Sequence, residues 1–484
     1  MSFSTKHYLL IGDCTKAHEI YELPAIDLLV TSPPYFNAPF DYNDLFENYE
    51  AFLEMMNKFA KLFFNALVSG GIIGLNIDDM LIKGVKYPII SDTIKIFINI
   101  GYSLMGKIIW RKPEGYIRIS RRSGVLLQNP YPMYYYPDNL LEAILVFQKP
   151  SQLEFINEET CYYQDIWEIT NVLPLKGRLE TNIAAFPEDL PGQLIKIFSQ
   201  EGDWICDPFL GSGTTMKIAR QLNRNSIGIE ILEELIPIIR EKVGFSSKNL
   251  TSYFNSDTLN DQNLEIRKIR TVNTNQKYPS DQSLLPLGLN KSKFANNFKH
   301  HMLVLNCRNV PYTILNEDLS EVIDSLFPGR ILAILYESLN NSGSLLSLHK
   351  LTDYVLKHGL RFRDKITIQH KPEKQWKVNT RNKSKVMFQH CYYEVLLFQK
   401  GKFDYKSKTN QEKKDCVINK EEFQREKWYL TLWDFRILSR KIADSIVLTR
   451  LLELFLFNNE VVGTNIADMS CPKRQFILDF FNLT

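Results

Sequence analysis

No apolar run in this chain approaches the ~18–20 residues that cross a bilayer as a helix, which gives no reason to expect a membrane span. The seven cysteines make no C-x-x-C pair and no Cys/His cluster. That argues against a structural zinc or a disulfide framework and for reduced thiols in a cytoplasm. Excess charge is missing too: the net balance of +3 does not by itself advertise a polyanionic partner. Local charge is another matter. Lys107–Arg122 holds six basic residues against one acid, and Arg361–Lys385 holds nine against two, with Phe362 and Trp376 interleaved. A solvated basic face accounts for either stretch alone, whereas the pair suggests a surface that tracks phosphates.

With 484 residues, 44% of them hydrophobic, the chain has material for two or three domains with sizeable cores. Residues 1–245 alternate short apolar strands, expected at 26–31, 71–76, 107–110, 143–148, 203–207 and 226–230, with amphipathic helices near 49–67, 90–100, 189–199, 214–222 and 232–242. Such alternation predicts an α/β fold with a mostly parallel sheet and helices on both faces. Residues 246–300 turn polar and lose periodicity, which reads as a linker.

Residues 301–484 resemble a decayed copy of the first part. Ser32-Pro33-Pro34-Tyr35 is echoed by Asn309-Val310-Pro311-Tyr312, and Ser69-Gly70-Gly71 by Asn341-Ser342-Gly343. Lys107-Ile108-Ile109 returns as Lys365-Ile366-Thr367, Phe147-Gln148-Lys149 as Phe398-Gln399-Lys400, Trp167 as Trp433, and Ile205-Cys206-Asp207 as Ile466-Ala467-Asp468. The competing reading is a helical or mixed domain of unrelated ancestry. After Asp468 both glycines of the first copy are gone. Close approach of backbone to a ligand is lost with them, so the second copy is expected to keep the shape without the ligand.

Two segments carry chemistry. In 203–230 a strand runs into Asp207-Pro208-Phe209-Leu210-Gly211-Ser212-Gly213, a helix opens at Thr214-Thr215, and the next strand ends in Glu230. A terminal carboxylate at that distance suits both hydroxyls of a ribose. The absent third glycine disfavours a pyrophosphate, and Asp207 would welcome a cation, so S-adenosylmethionine fits the set. An ordinary glycine turn is the bland alternative. In Thr31–Tyr35, two prolines fix φ and remove two backbone donors, leaving rigidly held carbonyl acceptors beside a hydroxyl and an aromatic face. Acceptors on one side of a nucleobase amino group would favour a pyramidal nitrogen with a free lone pair. The alternative is a packed Pro-Pro turn.

In that order the two segments resemble the β class of amino-group DNA methyltransferases, over roughly residues 8–245. Gly12-Asp13-Cys14, Leu67–Gly71, Trp110-Arg111-Lys112-Pro113, Asp165–Glu168 and Ala185–Pro191 extend the likeness. The resemblance implies a Rossmann-like S-adenosylmethionine-dependent methyltransferase fold, with 1–245 catalytic and 301–484 a degenerate methyltransferase-like domain for recognition or support. It implies that Ser32, Pro33, Pro34 and Tyr35 hold the target base. Asp13, Thr31, Phe186, Pro187, Asp207, Pro208, Phe209, Gly211, Ser212, Gly213, Thr214, Thr215 and Glu230 would bind the cofactor. Double-stranded DNA is the implied partner, with a cognate restriction endonuclease beside it. A serine before Pro-Pro-Tyr goes mostly with N4-cytosine in this family; N6-adenine remains the alternative, and a non-catalytic DNA-binding subunit is the alternative of another class. No Pro-Cys dipeptide occurs, so the covalent route of C5-cytosine enzymes is not expected.

The interval between Lys149 and Phe186 is too short for the large recognition insert usual in the family. DNA contacts are therefore expected from Arg111, Lys112, Arg118, Arg121 and Arg122, and from Lys371, Lys374, Lys377 and Arg381 in the second copy. The two copies would pack as an internal pseudo-dimer in a monomeric chain.

Overall fold

A computed structural model describes residues 5–37, 45–114, 122–151, 160–170, 186–245, 259–261, 264–268, 300–308, 320, 323–337, 347–379, 385–438, 440–457 and 465–468. Its strands in the first half are β1 (His7–Ile11), β2 (Ile26–Thr31), β3 (Leu67–Ile77), a small hairpin of β4 (Met80–Ile82) and β5 (Val85–Tyr87), β6 (Ser103–Arg111) and β7 (Leu141–Gln148). They continue as β8 (Thr160–Gln164), β9 (Ile166–Glu168), β10 (Trp204–Asp207), β11 (Asn225–Glu230), β12 (Leu259–Asp261) and β13 (Leu264–Lys268). The helices here are α1 (Tyr49–Ala66), α2 (Ile89–Ile100), α3 (Gly124–Gln128), α4 (Asp189–Phe198), α5 (Thr214–Gln221) and α6 (Ile236–Val243).

Local chemistry explains these elements. The Asn48 side chain accepts from the Ala51 amide to cap α1, and Phe52, Met56, Phe59 and Phe63 form its buried stripe at helical spacing. Helix α2 stops at Gly101, whose φ of 119° suits a residue without a Cβ. Strand β3 is buried on both faces over its last eight residues, as a central strand covered by helices must be.

Ten strands form one sheet in the order β12-β13-β1-β11-β10-β2-β3-β7-β6-β9. Strands β1, β11, β10, β2 and β3 run parallel, and β7 is antiparallel to both its neighbours. From β10 the chain moves through α5 to β11 on one side, and from β2 through α1 to β3 on the other. The reversal between β10 and β2 opens a crevice at their carboxyl ends, the usual ligand position in such sheets. The expected first-half elements are all present. The 246–300 linker needs correction: within it β13 pairs in parallel with β1 and β12 with β13, prolonging the first sheet. The exposed edge of β1 supplies the unpaired groups that recruit them.

The second sheet contains β14 (His300–Asn306), β15 (Leu326–Tyr336), β16 (Leu360–Asn379), β17 (Lys385–Lys400), β18 (Leu432–Phe435) and β19 (Asn465–Asp468). Read as β19-β14-β15-β17-β16-β18, its order and strand directions repeat β10-β2-β3-β7-β6-β9. The likeness reaches single bonds. Gln148 Nε2 donates to the Gly70 carbonyl at 3.0 Å, and Gln399 Nε2 donates to the Gly329 carbonyl at 2.9 Å. Gly329 is therefore the counterpart of Gly70, rather than the Ser342 that the sequence echo sets against it. The Asn309–Tyr312 and Asn341–Gly343 echoes lie outside the described residues.

The halves meet through equivalent surfaces. Lys107 Nζ reaches Glu394 at 2.5 Å, while its counterpart Lys365 Nζ reaches Asp78 at 3.1 Å and Asp79 at 2.8 Å. His390 Nδ1 meets Asp165 at 2.9 Å, and the positions exchange roles where Thr431 donates to Asn139 at 3.0 Å. Helix α2 packs on α7 (Leu348–Lys357), joined by Lys95–Asp353 at 2.6 Å. This reciprocity is that of a two-fold, isologous interface within one chain. The β16–β17 hairpin also extends across the first sheet: β17 pairs with β8, and Trp376 and Phe388, stacked at 3.9 Å, join the core beneath β2, β3 and α4. One hydrophobic cluster contains Phe52 and Ile73 together with Ile334 and Phe398.

Candidate active site

The two chemistry-bearing segments sit at the same end of the sheet, on neighbouring strands. Thr31, the last residue of β2, donates its hydroxyl to Asp207 Oδ1 at 2.6 Å at the end of β10. Thr215 Oγ1 donates to Asp207 Oδ2 at 2.6 Å, and the Phe209 amide to Oδ1 at 3.1 Å. Burial pushes the Asp207 carboxyl up to about 6, against the pull of the Thr215, Thr31 and Phe209 donors.

After Asp207 the chain turns through Gly211 and Gly213, with φ of 54° and 92°. A Cβ on Gly213 would also stand 3.2 Å from Ile239 and 3.3 Å from Val243 of α6, so this position needs glycine on two counts. The Gly211 amide donates to Glu230 Oε2 at 2.7 Å, while Ile231 and Leu232 amides donate to Oε1 at 2.9 and 3.0 Å. Burial raises the Glu230 carboxyl, opposed by those three amides. Asp13 lies just beyond β1, whose Ile11 pairs with Glu230. Its Oδ1 accepts from the Thr15 amide and hydroxyl, and Lys16 stands 3.1 Å away. Burial raises Asp13, but Thr15 and Lys16 outweigh it and hold the carboxyl below its ordinary range.

Phe186 and Pro187 precede α4, which packs on α5, and Lys217 of α5 binds Glu188 at 2.6 Å. Ser212 and Thr214 face the other way: Lys242 donates to their hydroxyls at 2.6 and 2.9 Å. Pro208 and Phe209 lie in the turn itself, where Phe209 packs on Phe59 at a ring separation of 5.4 Å.

The clamp has a buried backing that sequence reading misses. Tyr35 Oη donates to Glu142 Oε2 at 2.6 Å, and Asn76 Nδ2 donates to the Tyr35 oxygen at 2.9 Å and to Glu142 Oε2 at 2.6 Å. Ser32 Oγ lies 3.5 Å from the same Asn76 nitrogen. Lys112 is ion-paired with Glu142 Oε1. Burial favours the neutral Glu142, but Lys112, Tyr35 and Asn76 overcome it and hold the carboxyl below its usual range. Tyr35 is driven well up by burial and by Glu142, so it stays a phenol. Tyr35 as a residue is half-buried, packed against the core.

A family model described as DNA methylase matches residues 26–241. The type II methyltransferase M.MjaI of Methanocaldococcus jannaschii is 33% identical over 305 residues, which cover 54% of this chain and 98% of M.MjaI. This chain belongs to the DNA methylase family. The type II methyltransferase M.HpaI of Haemophilus parainfluenzae is 28% identical over 242 residues, 49% of the methylase and 73% of M.HpaI. Among solved structures, TTHA0409 of Thermus thermophilus, a putative DNA modification methylase complexed with S-adenosyl-L-methionine, shares 23% identity at a TM-score of 0.39, covering 55% of the methylase and all of that chain (100%). The cytosine-N4-specific PvuII DNA methyltransferase shares 20% identity at a TM-score of 0.40, covering 51% and 89%.

The methylase takes its methyl group from S-adenosylmethionine, and the crevice has the chemistry that cofactor needs. Asp207 and Glu230 end adjacent strands; one buried carboxylate suits a cationic amino-acid tail and the other a ribose diol. Gly211 and Gly213 keep the wall between them free of side chains.

The expected DNA contacts fare less well. Lys112 is only 5% exposed and belongs to the Glu142 pair, so it faces the pocket interior. Arg122 bridges the halves, 3.3 Å from Asp364 and stacked over Tyr136. Arg111 is committed to Glu168 at 2.9 Å. Within Arg361–Lys385, Arg363 and Lys365 are buried partners of the first half and Trp376 is core, so the stretch is not one solvated basic surface. Lys371 and Lys377 are exposed on β16. Arg118, Arg121, Arg381 and the Lys374 side chain lie outside the described residues.

Proposed function

We propose that this methylase transfers the methyl group to the N4 amino nitrogen of cytosine in duplex DNA, as the modification partner of a restriction endonuclease. The observation that carries this reading is the Thr31–Asp207 bond, which locks the Ser32–Tyr35 clamp to the glycine turn across one crevice. The base rotates out of the duplex at a cost of a few kcal/mol. Ser32 Oγ and the Pro33 carbonyl accept from its amino group, Pro34 stiffens the segment, and Tyr35 stacks on the ring. Asp13, Asp207, Phe186, Pro187 and Glu230 hold the cofactor, with the Phe209–Thr215 turn as its floor. The type II names of M.MjaI and M.HpaI support the restriction context. The second half has lost the glycine turn; it supports the first through the shared core, and Lys371 and Lys377 are its candidates for phosphate contacts.

The test is expression in a host without DNA methylation, followed by mass spectrometry of the DNA nucleosides. N4-methylcytosine is expected. N6-methyladenine would overturn the base assignment, and unmodified DNA from a folded, cofactor-binding enzyme would overturn the whole reading.

A further inference from the structure

We propose that Ser32, Tyr35 and the buried Glu142 form the path by which the target amino group loses its proton. The proposal rests on the amino-methylation reading above.

Methylating an exocyclic amino nitrogen forms an N–C bond as the sulfonium C–S bond breaks, leaving a nitrogen with two hydrogens and a positive charge. One N–H bond must then break. The clamp itself holds a serine hydroxyl and carbonyl oxygens, none of which retains a proton at neutral pH. Behind it runs an ordered chain. Ser32 Oγ and Tyr35 Oη both lie against the Asn76 amide nitrogen, at 3.5 and 2.9 Å, and Tyr35 Oη donates to Glu142 Oε2 at 2.6 Å. As Ser32 Oγ takes the amino proton, its own proton passes to Tyr35 Oη, and the phenol proton passes to Glu142 Oε2. Serine and tyrosine end neutral, the base ends as a neutral methylamine, and Glu142 ends as a carboxylic acid. Product release reverses the chain and returns the proton to water.

The surroundings suit this task. Asn76 holds Tyr35 and Glu142 in register with one nitrogen, at 2.9 and 2.6 Å. Lys112 keeps Glu142 ionised between turnovers despite near-complete burial. A carboxylate is base enough as the final acceptor, because alkylation makes the amino nitrogen conjugated to a pyrimidine ring acidic. A purely structural ion pair would not need the phenol proton aimed at it.

The experiment measures single-turnover methylation with saturating cofactor from pH 6.5 to 9 for wild type, Tyr35→Phe and Glu142→Gln. Flipping is followed separately with a fluorescent base analogue at the target, and cofactor affinity by calorimetry. Tyr35→Phe retains the stacking ring, so flipping and cofactor affinity stay within about twofold of wild type. The rate falls about 100-fold, in the range of one lost acid–base group. The wild-type rate is flat with pH, whereas both variants speed up as pH rises, because hydroxide must replace the relay. Should Glu142→Gln fail to fold around an unpaired Lys112, Glu142→Gln/Lys112→Met removes both charges and must show the same pH slope. Wild-type rates in the variants, or a loss with the wild-type flat profile, overturn the relay. A wild type that methylates no amino group overturns the functional reading instead.

Discussion

Thr31 and Asp207, separated by 176 positions in sequence, share a hydrogen bond of 2.6 Å at the carboxyl ends of adjacent strands. Asp207 is thereby held in a dry site where its charge is expensive. Its folded-state value of about 6 stands above the ordinary 3.8. Between those values the folded chain binds more protons than the unfolded one, so stability falls as pH rises through that window. By neutral pH the cost is on the order of 3 kcal/mol. Asp207→Asn is therefore expected to raise the melting temperature at pH 7.5, and to raise it less at pH 5, while the Thr31 and Thr215 hydroxyls reorient. If Asp207 pairs with the cationic tail as proposed, cofactor affinity should drop at least about 10-fold once the carboxylate is gone. Calorimetric melting and titration check both; a less stable variant with unchanged affinity would contradict the assignment.

Tyr35 offers a second, separable test. Its hydroxyl is anchored by Glu142 and Asn76, and the residue as a whole is half-buried. Stacking of a base on its ring contributes roughly 1–3 kcal/mol. Tyr35→Ala should weaken flipping and methyl transfer by at least about 5-fold, yet leave cofactor affinity within about twofold. Equal losses in both measurements would remove Tyr35 from the base pocket.

How much of this was legible beforehand follows from where each signal resides. Helices α1 and α2 and strands β2 and β11 announce themselves by local periodicity, and the glycine turn by its residues, because those patterns reflect nearby chain. Strands β12 and β13 do not, since they are recruited by the open edge of β1 and, as Leu-Asn-Asp and Leu-Glu-Ile-Arg-Lys, are too short to show a sustained pattern of their own. The basic stretch of β16 misleads for the same reason. Counting charges sees Lys365 but not Asp78, 287 positions away and facing it. Glu142 was findable in principle. It is an acid within Leu-Glu-Ala-Ile-Leu-Val-Phe, and a charge inside a buried strand is rarely left without a partner; only the identities of Lys112, Tyr35 and Asn76 required the structure.

Lys365 joins the halves through buried charges, with its side chain 10% exposed beside Asp78 at 1% and Asp79 at 4%. Removing one member of such a group leaves the others desolvated and uncompensated, typically at a cost of 3–5 kcal/mol. Lys365→Met is expected to destabilise by about that amount in urea unfolding. Lys365→Met/Asp78→Asn/Asp79→Asn should recover most of it, because the stranded charges go too. A single variant within about 0.5 kcal/mol of wild type would show that water, not Lys365, compensates the aspartates.

The hairpin that the second half lays over the first gives a purely steric test. Gly106 on β6 has the Trp376 ring so close that a Cβ would stand 2.4 Å from two of its carbons. Trp376 cannot retreat, being stacked on Phe388 at 3.9 Å and 3% exposed. Gly106→Ala should therefore cost about 1–3 kcal/mol through overpacking. Trp376→Leu on its own should also destabilise, by opening a cavity in the same place. Combined, Gly106→Ala/Trp376→Leu should be more stable than the sum of the single losses, since the methyl enters the space the indole vacates. A double-mutant cycle on thermal or urea unfolding reads that coupling directly. Strict additivity would mean that Trp376 does not pack on Gly106.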